Sequence, residues 1–375
     1  MSATLEQQLD GLPSDVWSEL SAHHFDRQRF LRLAARLGSE TDNRVKGAVR
    51  PPAPGDVSDL PEPGSAEHER LSVIGRKALA EGSVALVVLA GGMATRMGGV
   101  VKALVEALPD KTFLELRLAE MDALAERVGR RAPLWLMTSA ATDAATREAL
   151  SGRLDGRELA IFRQNLSLRL TPEGNVFLDE SGRPSLQASG HGDLPDALKE
   201  SGLLSRFVND GGRTLMIANL DNLGATLDEA VVGFHLDHGK AATCEVVDKV
   251  GTDKGGIPVR LDDRPVVLEE FRLPESFDPE TVRVFNTNTF HVDARALLEL
   301  QMDWTFFTVN KKVGGTPVVQ FERLIGELTS HLETRFLRVP RTGNGSRFLP
   351  VKDHDELAAR RAEIEAVART RGGLK

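Results

Sequence analysis

With 375 residues, 41% of them hydrophobic and 27% charged, the chain has an ordinary globular composition, enough for a large α/β domain with an appendage or for two modest domains. Forty-seven basic residues against 55 acidic ones give a net charge of −8, so bulk electrostatics offers no attraction to nucleic acid or to an anionic membrane. No apolar run approaches the roughly 18 to 20 residues that span a bilayer, the N-terminus lacks the pattern of a signal peptide, and the lone Cys244 has no disulfide partner, so a cytoplasmic location is expected.

In chain order, residues 2–50 read as helices, because Leu5, Leu9, Val16, Leu20, Phe25, Phe30, Leu31 and Leu33 recur at helical intervals among charges. Residues 51–66 are rich in Pro and Gly and predict an extended connector, making 1–66 a helical cap with its tether. A helix over 67–80 leads to the β-branched run 84–89, short enough to be a buried central strand. Strands and helices then alternate: helix 111–128, strand 133–137, helix 142–150, strand 159–162, a hairpin-like turn at 172–175, helix 193–204 and strand 213–218. A further strand over 282–285 is followed by Asn286 and Asn288, placed on a loop, and one charged helix runs over 355–370. The alternation predicts a mostly parallel, Rossmann-like α/β sheet covered by helices on both faces, with a catalytic unit at 67–352 and a C-terminal helical segment at 353–375. Cys244 reads as a small buried apolar side chain, and His23, His24, His235 and His238 as helix-surface residues without metal-ligand spacing.

The chemistry starts at Leu89-Ala90-Gly91-Gly92-Met93-Ala94-Thr95-Arg96-Met97-Gly98-Gly99-Val100-Val101-Lys102. Glycines leaving a buried strand let main-chain N–H groups approach a phosphate, and Lys102 adds a point positive charge. The spacing is neither that of a Walker A loop nor that of the Rossmann fingerprint. Asp221 falls just past the strand 213–218, where ligands collect in open α/β sheets; it suits a Mg²⁺ ligand, with capping of a following helix as the alternative.

The stretch resembles the L-x-G-G-x-G-T-R-x-G signature, followed by a lysine, of the sugar-nucleotide pyrophosphorylases, with Ala94 and Val101 departing from it. Seven further segments, in family order over residues 84–356, extend the resemblance to the UTP-glucose-1-phosphate uridylyltransferases. They are Phe162-Arg163-Gln164, Gly190-His191-Gly192-Asp193, Ala218-Asn219-Leu220-Asp221-Asn222-Leu223-Gly224, Lys254-Gly255-Gly256, Phe285-Asn286-Thr287-Asn288, Val309-Asn310-Lys311-Lys312-Val313 and Ser346-Arg347-Phe348-Leu349-Pro350-Val351-Lys352. The resemblance implies a GT-A-like nucleotidyltransferase that joins UTP to a sugar 1-phosphate, releasing pyrophosphate by direct in-line displacement. It assigns the triphosphate to Gly91, Gly92 and Lys102, substrate or nucleotide binding to Leu89, Ala90 and Arg96, the uracil to Gln164 and Gly190, the sugar phosphate to His191, and nucleotide or sugar to Asn219. It further implies Asp221 as the Mg²⁺ ligand, Asn286 and Asn288 as partners of sugar hydroxyls, and Lys254, Lys312 and Lys352 as cations that neutralise the reacting phosphates, with Lys352 catalytic.

The residue types suit those roles. Two anions must be neutralised and aligned, which lysines and a divalent cation do, and a Gln amide donates and accepts at once, matching the imide edge of uracil. His191 reads as a neutral phosphate donor in preference to a general base, while Asn286 and Asn288 are equally consistent with turn chemistry. Residues 342–345 interrupt the family's segment leading to Lys352, and the family's C-terminal β-helical domain is not expected here. Arg96 matches the UDP-N-acetylhexosamine pyrophosphorylases, keeping that substrate as a rival to glucose 1-phosphate. A catalytically inactive UDP-sugar-binding homologue and a metal-dependent glycosyltransferase are the rivals of other classes.

Overall fold

The computed structural model describes residues 3–37, 43–94, 97–251 and 253–374. At its centre are the strands Val57–Asp59 (β1), Val84–Leu89 (β2), Leu134–Thr138 (β3), Leu159–Arg163 (β4), Thr214–Asn219 (β5), Ala242–Asp248 (β6), Val284–Asp293 (β7) and Thr334–Arg338 (β8). They form one eight-stranded sheet in the order β1-β8-β6-β7-β5-β2-β3-β4. Neighbours are parallel except along β7, which runs antiparallel to both β5 and β6.

Alternation along the strands divides the interior into two layers. Ala85 and Val87 of β2 pack with Trp135, Met137, Leu215 and Ile217 on one face. Val84, Leu86 and Val88 pack with Leu134, Leu136, Met216 and Ala218 on the other. Residues 84–88 are wholly buried, as a central parallel strand covered on both sides requires. The helix Phe113–Val128 begins with a reciprocal capping box between Thr112 and Glu115 and ends at Gly129, whose φ of 79° lies in the left-handed region.

Several expected elements change form. The helix expected over 193–204 is two, Leu194–Glu200 and Leu203–Asn209, parted at Gly202, where φ is 73°. Asn286 and Asn288 are not on a loop: they belong to β7, where the pairing with β6 slips between Glu245 and Val246 and leaves a bulge. Asn288 takes the positive φ, 59°, that the bulge demands. The Pro-rich connector contributes edge strand β1, a position that tolerates neighbouring prolines. The helices Leu5–Asp10, Ser14–Ala22 and Arg27–Ala34 set Leu9, Val16, Leu20 and Phe30 against Leu166, Leu168, Leu170 and Phe321, a satellite core over one end of the sheet. Cys244 is buried in β6, as expected. His235 corrects its surface assignment: it is buried, with Nδ1 2.9 Å from Thr243 Oγ1.

The helices Ala66–Ala80 and Glu229–His238 cross with no side chain between them. A Cβ on Gly75 would lie 1.8 Å from the Glu229 carbonyl oxygen, and one on Gly233 1.9 Å from that of Leu71. Both clashes are with main chain and no rotamer relieves them. Gly233→Ala is therefore expected to cost about 2–3 kcal/mol of stability as overpacking, measured by denaturant unfolding with the m-value unchanged.

Candidate active site

Four adjacent parallel strands, β5, β2, β3 and β4, end on one edge of the sheet, and a cavity of about 730 Å³ lies over their carboxyl ends. Each delivers wall residues: Leu89 to Met93 after β2, Ser139 after β3, Gln164 after β4, and Asn219 to Asp221 after β5. Ligands collect at this edge in open α/β sheets because loops there face away from the core while their strands stay fixed.

The glycine loop is held by its carbonyl oxygens. Thr142 Oγ1 donates to the Ala90 oxygen (3.1 Å), Ser139 Oγ to that of Gly91 (2.9 Å) and the Lys102 N–H to that of Gly92 (3.4 Å). No acceptor among the described residues takes the N–H of Gly91 or Gly92, which leaves those donors for a ligand. Met93–Ala94 pairs antiparallel with Val100–Val101, so the loop doubles back as a small ribbon. Gly98 and Gly99, both at positive φ, turn it. The ribbon returns Lys102 to the cavity, where its Nζ lies 2.5 Å from Asp221 Oδ2. Asp221 does not cap the next helix; Asp228 does, accepting from the Val231 N–H at 3.0 Å. Arg96 lies outside the described residues.

Gly91, Gln164, Gly190 and His191 meet as one cluster. A Cβ on Gly91 would fall 2.4 Å from Gln164 Oε1, and Gln164 Nε2 donates to the Gly190 carbonyl at 3.0 Å. Gly190, at φ 90°, and Gly192 lie directly on the main chain of Arg323, where a Cβ would come within 2.5 and 2.6 Å respectively. His191 Nδ1 accepts from the Ile325 N–H at 3.0 Å, so the proton of the neutral ring sits on Nε2 and that nitrogen donates. Burial pushes its pKa down to about 4.

The opposite wall was not anticipated. Arg169 Nε donates to Gln320 Oε1 (3.0 Å), Gln320 Nε2 donates to Glu322 Oε1, and Lys311 Nζ reaches the same oxygen at 2.5 Å. All four line the cavity, together with Gln187. Lys311, not its neighbour Lys312, is on the wall, because successive residues of Phe307–Val313 point to opposite faces of that ribbon. The signal lay in the Lys-Lys pair, but its parity depends on a hairpin register with Thr316–Glu322 that the sequence did not disclose.

Five of the expected residues lie off that cavity wall: Lys254, Asn286, Asn288, Lys312 and Lys352. Two connect to it indirectly. Asn288 Nδ2 donates to Asn219 Oδ1 at 3.0 Å, and Asn286 Oδ1 accepts from the Asn288 N–H at 2.8 Å. The Asn286 N–H donates to the Gly256 carbonyl at 2.8 Å, which puts the Lys254 segment beside it. Lys352 is exposed; the Asp253 carboxyl, raised by burial, is brought below its usual range by hydrogen bonds from Arg341 and the Val250 N–H, then by the charge of Arg341 and least by that of Lys352. Lys254 and Lys352 therefore share one neighbourhood around Asp253, on the side reached through Asn219 and Asn288.

Three imidazoles are held neutral by burial. His191 and His238 are lowered to about 4 and His235 falls well below its ordinary value. An unfolded histidine protonates near 6.5, so the unfolded chain binds more protons as pH falls through 6.5 towards 4, and folding stability drops across that window. Their stabilisation is expected to be constant above pH 7.5 and to lose roughly 1 kcal/mol or more per imidazole by pH 5, read from denaturant melts at each pH. Asp193, raised to about 6 by burial, works in the opposite sense as pH falls below that value and offsets part of the loss, so a flat profile between pH 7 and 6 is the one that would contradict it.

The family described as UTP--glucose-1-phosphate uridylyltransferase matches residues 28–369. An enzyme of that name from Astragalus penduliflorus is 26% identical, aligned over 98% of this chain and 80% of its own. Among solved structures, the UDP-glucose phosphorylase of Trypanosoma brucei superposes with a TM-score of 0.74 at 21% identity, covering 95% of this chain and 77% of its own. The UDP-N-acetylglucosamine pyrophosphorylase of the same organism gives 0.72 at 20% identity, covering 97% and 85%. The two structures share this chain's fold, and the sequence match over most of its length shows that the chain belongs to the UTP--glucose-1-phosphate uridylyltransferase family.

Proposed function

We propose that the chain forms UDP-glucose and pyrophosphate from UTP and glucose 1-phosphate. The observation that carries this reading is the convergence, over four strand ends, of unclaimed glycyl N–H groups, the Lys102–Asp221 pair, the Gln164 amide and a neutral, Nε2-donating His191 in a member of this family.

In the reaction a phosphate oxygen of the sugar 1-phosphate bonds to the α-phosphorus of UTP while the bond from that phosphorus to the bridging oxygen breaks, and pyrophosphate leaves with the electron pair. The attacking oxygen is already ionised, so no base or covalent enzyme intermediate is called for, and the protein's task is to align two anions and offset their repulsion. The Gly91 and Gly92 N–H groups and Lys102 hold the triphosphate, and Lys311 adds a cation from the opposite wall. Arg96 stands in the same sequence motif, and the resemblance alone assigns it there. Gln164 presents both a donor and an acceptor to uracil beside the Gly190 main chain. His191 gives one hydrogen bond to the sugar phosphate. It is a poor base, since Nδ1 is engaged and Nε2 carries the proton. Asn219, with Asn288 and Asn286 behind it, lies towards the sugar; Lys254, Lys312 and Lys352 supply charge from outside the wall. For Lys352 to touch the reacting phosphates, the segment bearing it has to approach the glycine loop.

Mg²⁺ fits the donor set in one mode only. No group of three or more His, Cys, Asp or Glu side chains that could hold a metal occurs among the described residues, so these offer no all-protein cage. Asp221 at a strand end is one carboxylate for a hard cation completed by phosphate oxygens and water. When bound there, the ion would neutralise phosphate charge, and Asp221 would have to exchange its contact with Lys102 for it.

The deciding experiment is pyrophosphate release from UTP with glucose 1-phosphate and with N-acetylglucosamine 1-phosphate, with and without a chelator. Glucose 1-phosphate is expected to be turned over at least tenfold more efficiently, with activity lost on chelation; preference for the acetylated sugar would overturn the substrate assignment, and activity in chelator the magnesium assignment. In the same assay Lys311→Ala is expected to lower kcat/KM about tenfold or more, and by more than Lys312→Ala does. The reverse order would remove Lys311 from the site.

A further inference from the structure

Arg323 follows the strand Thr316–Glu322, and its guanidinium is 1% exposed. Its Nε donates to Asp193 Oδ1 at 2.6 Å and its Nη1 to Asp196. The rings of Trp304 and Phe306 box it in, with centroids 5.2 and 5.4 Å from the guanidinium carbon. Asp193 is fully buried. Neither Arg323 nor Asp193 nor Asp196 lines the nucleotide cavity, so this ion pair can serve the site only through other residues.

The pair ties together two segments 130 positions apart. Asp193 closes the short turn His191–Asp193, and Arg323 opens the stretch that leaves the cavity's far wall. The main chains are joined on both sides of His191: the Arg323 N–H donates to the Ser189 carbonyl at 2.9 Å, and the Gly192 N–H to the Arg323 carbonyl at 3.0 Å. Gly190 and Gly192 allow that approach, as their lack of a Cβ requires. Gln187 Nε2 extends the seam by donating to the Phe321 carbonyl at 3.2 Å. The His191 ring joins it too, since the N–H that meets its Nδ1 belongs to Ile325, two residues past Arg323. Glu322, one residue before Arg323, is on the cavity wall, and its charge reaches the same ring.

A buried ion pair adds little net stability over apolar side chains of the same volume, but it fixes direction, because a guanidinium fork has few seats on a carboxylate. We infer that Arg323, paired with Asp193, is a positioning residue: it holds the Ile325 N–H against His191, and so fixes which ring nitrogen is left to donate and where the ring stands relative to Glu322 and Lys311. The kinetic consequence deepens the proposed reaction and rests on it; the effect on the ring does not.

The test uses the double variant Asp193→Asn with Arg323→Met, which leaves neither member of the pair buried as an unpartnered charge; Asp196, its side chain 34% exposed, is left to solvent. The ring nitrogens are followed by ¹⁵N NMR of histidine-labelled protein near pH 7.5, where Asp193, raised to about 6 by burial against the pull of Arg323, is ionised in the wild type. The His191 signals are identified by their loss in His191→Gln. Wild type is expected to show a single neutral ring with the proton on Nε2. In the double variant the ring is expected to exchange between tautomers, while kcat/KM for glucose 1-phosphate falls about tenfold or more and KM for UTP stays within about threefold. Each protein is measured below its own melting transition, so that folded is compared with folded. If the double variant does not fold, Asp193→Asn alone, which is isosteric and leaves Arg323 its contact with Asp196, is read by the same criteria. A wild-type ring in the folded variant overturns the assignment, and so does an altered ring with a wild-type rate. If the ring responds as expected but no UDP-glucose forms even in the wild type, the proposed reaction fails and the positioning of the ring stands.

Discussion

The fold is pinned at its centre by one buried ion pair. Glu245 of β6 is fully buried, and it stays ionised, its pKa held down to about 2, because Arg347 forks both its oxygens and His291 Nε2 lies 2.8 Å from one of them. Taking either partner away would strand a charge in the interior, at a cost of about 3–5 kcal/mol. From that pair hangs the segment that ends at Lys352. Asn222 fixes it in register, donating to the Arg347 carbonyl at 3.1 Å and accepting from the Leu349 N–H at 2.7 Å. Gly224 lets the two stretches touch, since a Cβ there would lie 2.6 Å from the Arg347 carbonyl carbon. Arg117, buried in a helix, completes the clamp by donating to the carbonyls of Asn222 and Ala225. The loop bearing Asp221 and the segment bearing Lys352 are thus one mechanical unit, although 131 positions apart in the chain.

Opposing charges also organise the cavity before any substrate enters. Lys102 and Asp221 neutralise each other across strand ends, as do Lys311 and Glu322 on the facing wall. A polyanion arriving between them can recruit the lysines by displacing carboxylates, so the site need not carry unbalanced positive charge while it waits.

What the sequence made legible was what depends on nearby residues. The buried run 84–88, the turn-forming glycines and the cap of helix Phe113–Val128 follow from local pattern, and so did the placing of Asp221 past a strand end. The alternation of elements gave the mostly parallel sheet. What depends on distant pairing was not legible. Whether Lys311 or Lys312 faces inward is decided by register with another strand, and the bulge carrying Asn286 and Asn288 by a slip against β6. Nothing in the local pattern marked Arg117 or Arg347 as buried; their burial is intelligible only once Glu245, Asn222 and Ala225 are seen around them. His235 was misjudged for the same reason, its partner Thr243 lying on the next strand.

The reversed strand β7 sets how this architecture can vary. Because it runs against its neighbours, its middle, at Asn288, stands level with Asn219, where β2 to β5 finish, and its first half runs on past that edge. Asn286 is mounted there on a hydrogen-bonded ladder and Asn288 on its bulge, not on a free connection. Lengthening or shortening a loop cannot retune them. A change of chemistry at that edge has to come by exchanging one side chain for another, in a frame whose spacing is already decided.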